Sequence, residues 1–311
     1  VEKLRQALAP DSFLSHMTES EYTRYVEVEC GIEVAEVSEV YGGKRILSEQ
    51  DHLLIKNADI KNEHELIVVF TPALCAVCTD AGLEFVNSEE EKWIHTQFDH
   101  ADNYQKPDGC STIPNLYIRG NVHRYDILRT LREEYNADYR FGKGIWAIRD
   151  MYKVWEYKIK VVPADKGKAY SYAVHLSRGD RYTTYFVILC DAVDLYIVSA
   201  KDAVVMTVQK TTWSTAGSRE LLMKTLNTKS KWHELLDKCC EELHVSVVGF
   251  LGAGAFGRCF EVVDGSGKRF ALKVVLTVHQ GGRTLENGTL QEYRLLLSDK
   301  LSEVPHVVRV A

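Results

Sequence analysis

Long apolar runs are missing from this chain: none approaches the roughly 18 residues that a bilayer-spanning helix requires, so no membrane-spanning segment is expected. The opening, VEKLRQALAP, has neither an initiator Met nor the apolar core of a signal peptide, and the sequence reads as an excised part of a longer protein. A positive charge excess is missing too. Lys and Arg number 38 against 44 Asp and Glu, a net charge of -6 at pH 7, so any contact with nucleic acid must come from a local patch. No internal repeat, low-complexity tract, GxSxG elbow or catalytic Cys/His arrangement occurs. The 8 cysteines lack a disulfide-framework spacing, which suits a reducing compartment. Cys75 and Cys78, in CAVC, have the spacing of half a zinc site, but no second CxxC or HxxxH completes it, and they read as structural. His95, His100, His123 and His175 share no ligand spacing and read as surface or packing residues.

What is present is enough for two domains: 311 residues, 45% of them hydrophobic. YTRYVEVEC, GKRILS, DHLLIKN and the apolar ELIVVFTPALCAVC read as strand candidates. NSEEEKWIHTQFDHA and RYDILRTLREEYNADY read as helices, the first capped by Asn87 or Ser88. In MYKVWEYKIK, period-two alternation puts Val154, Glu156 and Lys158 on one face of a strand and Trp155, Tyr157 and Ile159 on the other. DKGKAYSYAVHLSRGD reads as a helix, and TTYFVILCDAVDLYIVSAK as two buried strands around a turn at Asp191 to Asp194. This mixture implies an α/β layer arrangement over residues 1–210. The Ser/Thr-rich stretch 211–230 is the best boundary, and with the helix KWHELLDKCCEEL it forms a linker and connecting segment, 211–243.

From residue 244 the chain carries FLGAGAFGRCFEV and then FALKVV. A GxGxxG spelling alone is weak, because a Rossmann loop shares it. In a Rossmann unit a helix opens at the third glycine, whereas here the sequence continues as strand, turn, strand. That context resembles a protein kinase small lobe, with Gly252, Gly254 and Gly257 in the glycine-rich loop and Lys273 in the position of the lysine that pairs the α- and β-phosphates. The resemblance implies Glu292 as the helix glutamate that holds Lys273; Glu286 is less well placed because it precedes Gly288. Cys259 stands where the kinase pattern has Val and is still apolar enough to cover an adenine. The catalytic loop and metal-binding Asp of a kinase would lie beyond Ala311, so residues 244–311 read as a truncated small lobe, with ATP bound only by the full-length kinase.

A second constellation lies upstream. Asp108, in KPDG, and Glu156 and Lys158, in WEYKIK, supply two hard oxygen ligands for Mg²⁺ and a cation for an attacking water, as phosphodiester cleavage requires. The set resembles the PD-(D/E)xK nuclease signature, which implies Asp108 and Glu156 as metal ligands and Lys158 beside the nucleophile. Many members add an acid from the preceding helix; Glu89, Glu90 and Glu91 are equivalent candidates. A bland reading stands beside this one: Pro107, Asp108 and Gly109 as a turn, and Glu156 with Lys158 as a solvated pair. The order of acidic helix, PD, ExK strand, helix and strand favours the nuclease. Lys166, Lys168, Tyr170 and Tyr172 open the following helix and are candidate phosphate-backbone contacts.

A nuclease-like mixed sheet flanked by helices, a helical connector and a partial kinase small lobe together resemble Crinkler effectors of filamentous pathogens. The resemblance implies a secreted protein acting in a host cell, often in its nucleus, with DNA and host proteins as partners. It leaves two functions open. One is an Mg²⁺-dependent DNA endonuclease, and the other is a catalytically inactive binding or regulatory domain of an effector kinase.

Overall fold

The computed structural model describes residues 17–87, 94–95, 104–105, 107–113, 153–177, 183–253, 257–275, 279–280 and 283–284. Two compact units divide the chain, Val1–Lys238 and Cys239–Ala311.

The first unit is a mixed α/β layer structure. Seven of its described strands are β1 (Val34–Glu36), β2 (Glu84–Asn87), β3 (Gly109–Thr112), β4 (Lys153–Tyr157), β5 (Tyr185–Cys190), β6 (Asp194–Lys201) and β7 (Val204–Thr212). They form one sheet in the order β1-β7-β6-β5-β4-β3-β2. The β1/β7 and β4/β5 pairs are parallel and the others antiparallel. Between β4 and β5 the chain crosses over through helix α4 (Pro163–Ser177), as a parallel pair requires. The helices α1 (Glu19–Arg24), α2 (Glu49–Asn57) and α3 (Glu63–Asp80) precede these elements, and α5 (Ser218–Asn227) and α6 (Lys231–Leu243) follow β7.

Alternation along β4 divides the core. Val154 joins Val187, Leu189 and Val198 under Tyr22 of α1 and Tyr170 and Tyr172 of α4. Trp155 and Tyr157 join Ile188 and Cys190 on the opposite face, under Leu66, Phe70 and Leu74 of α3 and Leu222 and Leu226 of α5. The expected strand at 153–157, the helix after it and the two strands about Asp191 to Asp194 are all present. Asp191 fastens the turn: its carboxylate accepts from Val193 N and Asp194 N at 2.8 Å and from Val161 N at 2.9 Å.

The N-terminal strand candidates are mostly helical. YTRYVEVEC forms α1 and a π-helical turn, Tyr25–Glu29, and DHLLIKN lies in α2. GKRILS forms no strand. ELIVVFTPALCAVC belongs to the 18-residue α3, which buries Leu66, Ile67, Phe70, Leu74, Val77 and Cys78 along one helical stripe. A long apolar run is ambiguous by periodicity, and here length and an N-cap decide. The Asn62 side chain accepts from Glu65 N at 2.9 Å and starts the helix. The stretch expected to be a linker is built into the core, because Trp213, Leu222 and Leu226 are fully or almost fully buried. In place of the helix expected at 87–101, the described residues are extended, with Asn87 ending β2 and Ile94–His95 pairing antiparallel with Tyr104–Gln105; the helix expected at 124–139 lies outside the described residues.

Helices α1 and α4 approach so closely at Gly167 that a Cβ there would stand 1.8 Å from Glu19 O. Thr23 Oγ1 reinforces the crossing by donating to Pro163 O at 2.5 Å. Gly167→Ala is therefore expected to lose about 3 kcal/mol of unfolding free energy, at the upper end of overpacking costs, despite alanine's better helix propensity. Urea denaturation measures this, and an unchanged midpoint would show that the two helices are not held at this distance.

Candidate functional site

The end of β4 is where the sequence-predicted residues meet. Because β3 runs antiparallel to β4, with Gly109 opposite Trp155, the residue just before β3 lies beside the last residues of β4. That residue is Asp108. Its Oδ2 accepts the Tyr157 N–H at 2.6 Å, in place of a further ladder hydrogen bond. Asp108 is buried, and Gly109 begins a strand instead of turning the chain. A Cβ at Gly109 would lie 2.9 Å from the Phe85 ring, so any side chain at this strand start would have to displace that ring. The turn reading of KPDG is thereby replaced, and the solvated-pair reading of Glu156 fails because Glu156 is 0% exposed.

Glu156 faces α4. Its Oε1 receives the Lys168 ammonium at 2.5 Å and the Lys158 ammonium at 3.2 Å. Its Oε2 is buried with no hydrogen-bond partner among the described residues. Lys158 lies one residue past β4, where its N–H still donates to Cys190 O at 2.8 Å, and its ammonium reaches Glu63 Oε1 at 2.9 Å. Glu63 is the first residue of α3, so the site gathers side chains from α3, α4, β4 and the entry to β3.

Burial sets the electrostatics. Desolvation, then the neighbouring Glu156 charge, pushes the Asp108 carboxyl up to about 7 against the Tyr157 hydrogen bond and Lys158, which pull it down. Burial works against the charge of Lys158, but Glu156, Glu63 and Asp108 outweigh it and hold the ammonium above the ordinary lysine range. Lys158 is thus a fixed cation at neutral pH and unsuited to act as a base. Among the described residues, no group of three or more His, Cys, Asp and Glu is gathered to hold a metal.

Of the residues expected to contact phosphate, Lys168 pairs with Glu156 in this cluster, and the hydroxyl of the buried Tyr172 lies close enough to feel the Glu156 and Asp108 charges. Lys166 pairs with Glu27 at 2.6 Å, the Tyr170 hydroxyl donates to the same Glu27 at 2.7 Å, and Tyr172 is buried. Glu89, Glu90 and Glu91 lie outside the described residues. Glu63 was not singled out from the sequence, although NEHE ahead of an apolar run is a helix-start signal that places an acid in the first turn. The CAVC cysteines lie on α3, with Cys75 exposed and Cys78 buried. Cys78 Sγ is 3.3 Å from Ser111 Oγ, and burial pushes its thiol up to about 11, as suits a packing residue.

The second unit contains a three-stranded antiparallel sheet of β8 (Val245–Ala253), β9 (Gly257–Asp264) and β10 (Arg269–Val275). Its register places Gly252 opposite Cys259 and Cys259 opposite Lys273, in one row across the three strands. Phe260, Val262 and Val274 are buried, and Lys273 is exposed. Gly257 opens β9 opposite Val275. Gly254, Glu286 and Glu292 lie outside the described residues.

No protein-family model matches this chain, and no curated protein matches it in sequence. Among solved structures, a cryo-EM structure of a DrdV–DNA complex is similar at 14% identity and a TM-score of 0.34, over 63% of this chain and 15% of that one.

Asp108 and Lys153 give the unit opposite pH responses. Lys153, 1% exposed, donates to Leu226 O at the end of α5, and burial pushes its ammonium down to about 7. Asp108 binds its proton more tightly when folded, so its contribution to stability is full below about pH 4 and is lost as pH rises to about 7. Lys153 releases its proton on folding, so its contribution grows from about pH 7 to about pH 10.5. Asp108→Asn, measured without divalent ions, is expected to gain on the wild type by on the order of 2 kcal/mol between pH 5 and pH 8. A difference that does not change with pH would show that Asp108 titrates normally.

Proposed function

We propose that the first unit is a divalent-metal-dependent DNA endonuclease of PD-(D/E)xK type, with Asp108 and Glu156 as metal ligands and Lys158 as the cation beside the attacking water. The observation that carries this reading is Glu156: a fully buried carboxylate with one unpartnered oxygen, beside an Asp whose charge burial disfavours. Buried carboxylate oxygens without donors call for a cation. Two carboxylates are a sufficient protein ligand set for Mg²⁺, which commonly completes its shell with water and substrate phosphate. A divalent ion bound there would supply Lewis-acid polarisation of a phosphodiester oxygen.

The chain's own groups account for the remaining chemistry. The Tyr157 N–H fixes the Asp108 carboxylate at the end of the sheet. Glu63 and Glu156 grip the Lys158 ammonium from two sides and hold it charged, ready to stabilise negative charge developing on the scissile phosphate. Lys158 therefore acts through its charge and orients water without removing a proton. Asp108 must be ionised to serve as a ligand, so metal binding, and cleavage with it, rises as pH increases through about 7.

A second reading, a catalytically inactive binding or regulatory domain, is favoured by one observation: two lysines already compensate Glu156. In the second unit, the row of Gly252, Cys259 and Lys273 supports a nucleotide-facing sheet of kinase small-lobe type. With the nuclease-like unit before it, that sheet supports a Crinkler-like effector acting in a host cell.

Plasmid and oligonucleotide cleavage in Mg²⁺ tests the nuclease. The wild type is expected to cut DNA, and Asp108→Ala, Glu156→Ala and Lys158→Ala to lose at least about 100-fold in rate. Full activity in all three variants, or none in the wild type under any divalent ion, sinks the proposal and leaves the binding domain.

A further inference from the structure

Lys168 makes the shortest contact that Glu156 has, and it comes from a different element than Lys158. It projects from α4, its ammonium lies 2.5 Å from Glu156 Oε1, and its side chain is 35% exposed. Lys158, at 14% exposure, is also held by Glu63. Among the described residues Lys168 has one acidic partner, Glu156, and its ammonium lies 5.4 Å from the centroid of the Tyr172 ring, four residues along the same helix. One cation at the site is thus anchored between two acids. The other is a more exposed ammonium with an aromatic ring beside it.

We infer that Lys168 is a displaceable cation: its ammonium and a divalent ion compete for Glu156, and a displaced Lys168 binds the DNA phosphate backbone. This inference rests on the metal-dependent reading of the site. The physical argument is one of charge. Asp108, Glu156 and Glu63 supply three carboxyls against two ammonium groups, so two cations already answer most of the charge that the cluster can carry. Adding a dication beside both lysines would bring like charges together in a poorly solvated place. The cation that relieves this is the one not doubly held. Swinging outward, Lys168 leaves Glu156 and the buried Tyr172 ring and reaches solvent, where a phosphate is the natural new partner. Metal entry and DNA capture then become coupled, because each favours the outward position of one side chain.

The coupling has a signature that a purely structural lysine or a purely DNA-binding lysine lacks. Removing Lys168 should strengthen metal binding and weaken DNA binding together. The experiment uses the full chain as wild type, Lys168→Met, Lys168→Arg and Glu156→Gln. Isothermal titration calorimetry with Mn²⁺ measures metal affinity, and fluorescence anisotropy of a labelled duplex in Ca²⁺ measures DNA affinity over a range of salt. Lys168→Met is expected to bind Mn²⁺ about tenfold more tightly, the scale of one competing charge pair. Its DNA affinity is expected to fall, with the slope of log K against log salt smaller by about 1. Lys168→Arg, which keeps the charge, should stay near the wild type in both and also serves if the Met variant does not fold.

Wild-type Mn²⁺ binding that Glu156→Gln abolishes, with Lys168→Met unchanged or weaker, overturns the inference and leaves the nuclease reading standing. Failure of both the wild type and Lys168→Met to bind Mn²⁺ overturns the metal reading itself, and the inference with it.

Discussion

Burying the Glu156 carboxylate is the constraint that organises the first unit's site. Removing an ionised carboxylate from water costs several kcal/mol even after relaxation, and β4 places this one at 0% exposure between a sheet and a helix. Lys158 and Lys168 answer that cost from either side, and Glu63 in turn steadies Lys158. Asp108 adds a further carboxyl to this buried place, and desolvation first, with the neighbouring Glu156 charge second, disfavours its ionisation. With Asp108 protonated, two carboxylates face two ammonium groups. With Asp108 ionised the cluster is short of one positive charge, and the unpartnered Oε2 of Glu156 marks where the deficit lies.

Topology makes this cluster possible. The parallel β4/β5 pair forces a crossover, and the crossover helix α4 begins beyond the end of β4, which brings Lys168 over Glu156. The antiparallel β3 returns Asp108 to the same end of the sheet. Helix α3 reaches that end with its N-terminus, where a carboxylate such as Glu63 suits the helix dipole while it pairs with Lys158. The apolar residues of β4 meanwhile alternate between the two core clusters, so the strand that carries the chemistry also joins the two layers.

Much of this was legible in the sequence. Period-two alternation in KVWEYK assigned Val154 and Glu156 to one face and Trp155 and Tyr157 to the other, and the structure keeps that division. The strand pair about Asp191 to Asp194 was equally plain, because buried apolar runs flank a turn that one carboxylate staples. The N-terminal helices were less legible. ELIVVFTPALCAVC is apolar almost throughout, so its period is weak, and the strand reading overlooked Asn62 as an N-cap. Glu63, beside that cap, carries no site signal of its own, because its partnership with Lys158 is a tertiary contact without a local spacing. The Ser/Thr-rich composition of 211–230 suggests a boundary, but the hydroxyls of Thr212, Thr215 and Ser218 bond to one another or to the backbone while Trp213 fills the core. Composition reports solvation preference, and a single tryptophan outweighed it.

The central claim is that the Asp108 and Glu156 carboxylates jointly take a divalent cation. Anomalous diffraction from crystals soaked in Mn²⁺ tests it most directly. The account predicts a peak bonded to oxygens of both carboxylates, with the Lys168 ammonium moved away from Glu156. No anomalous peak at these carboxylates, with both lysines still on Glu156, would contradict it.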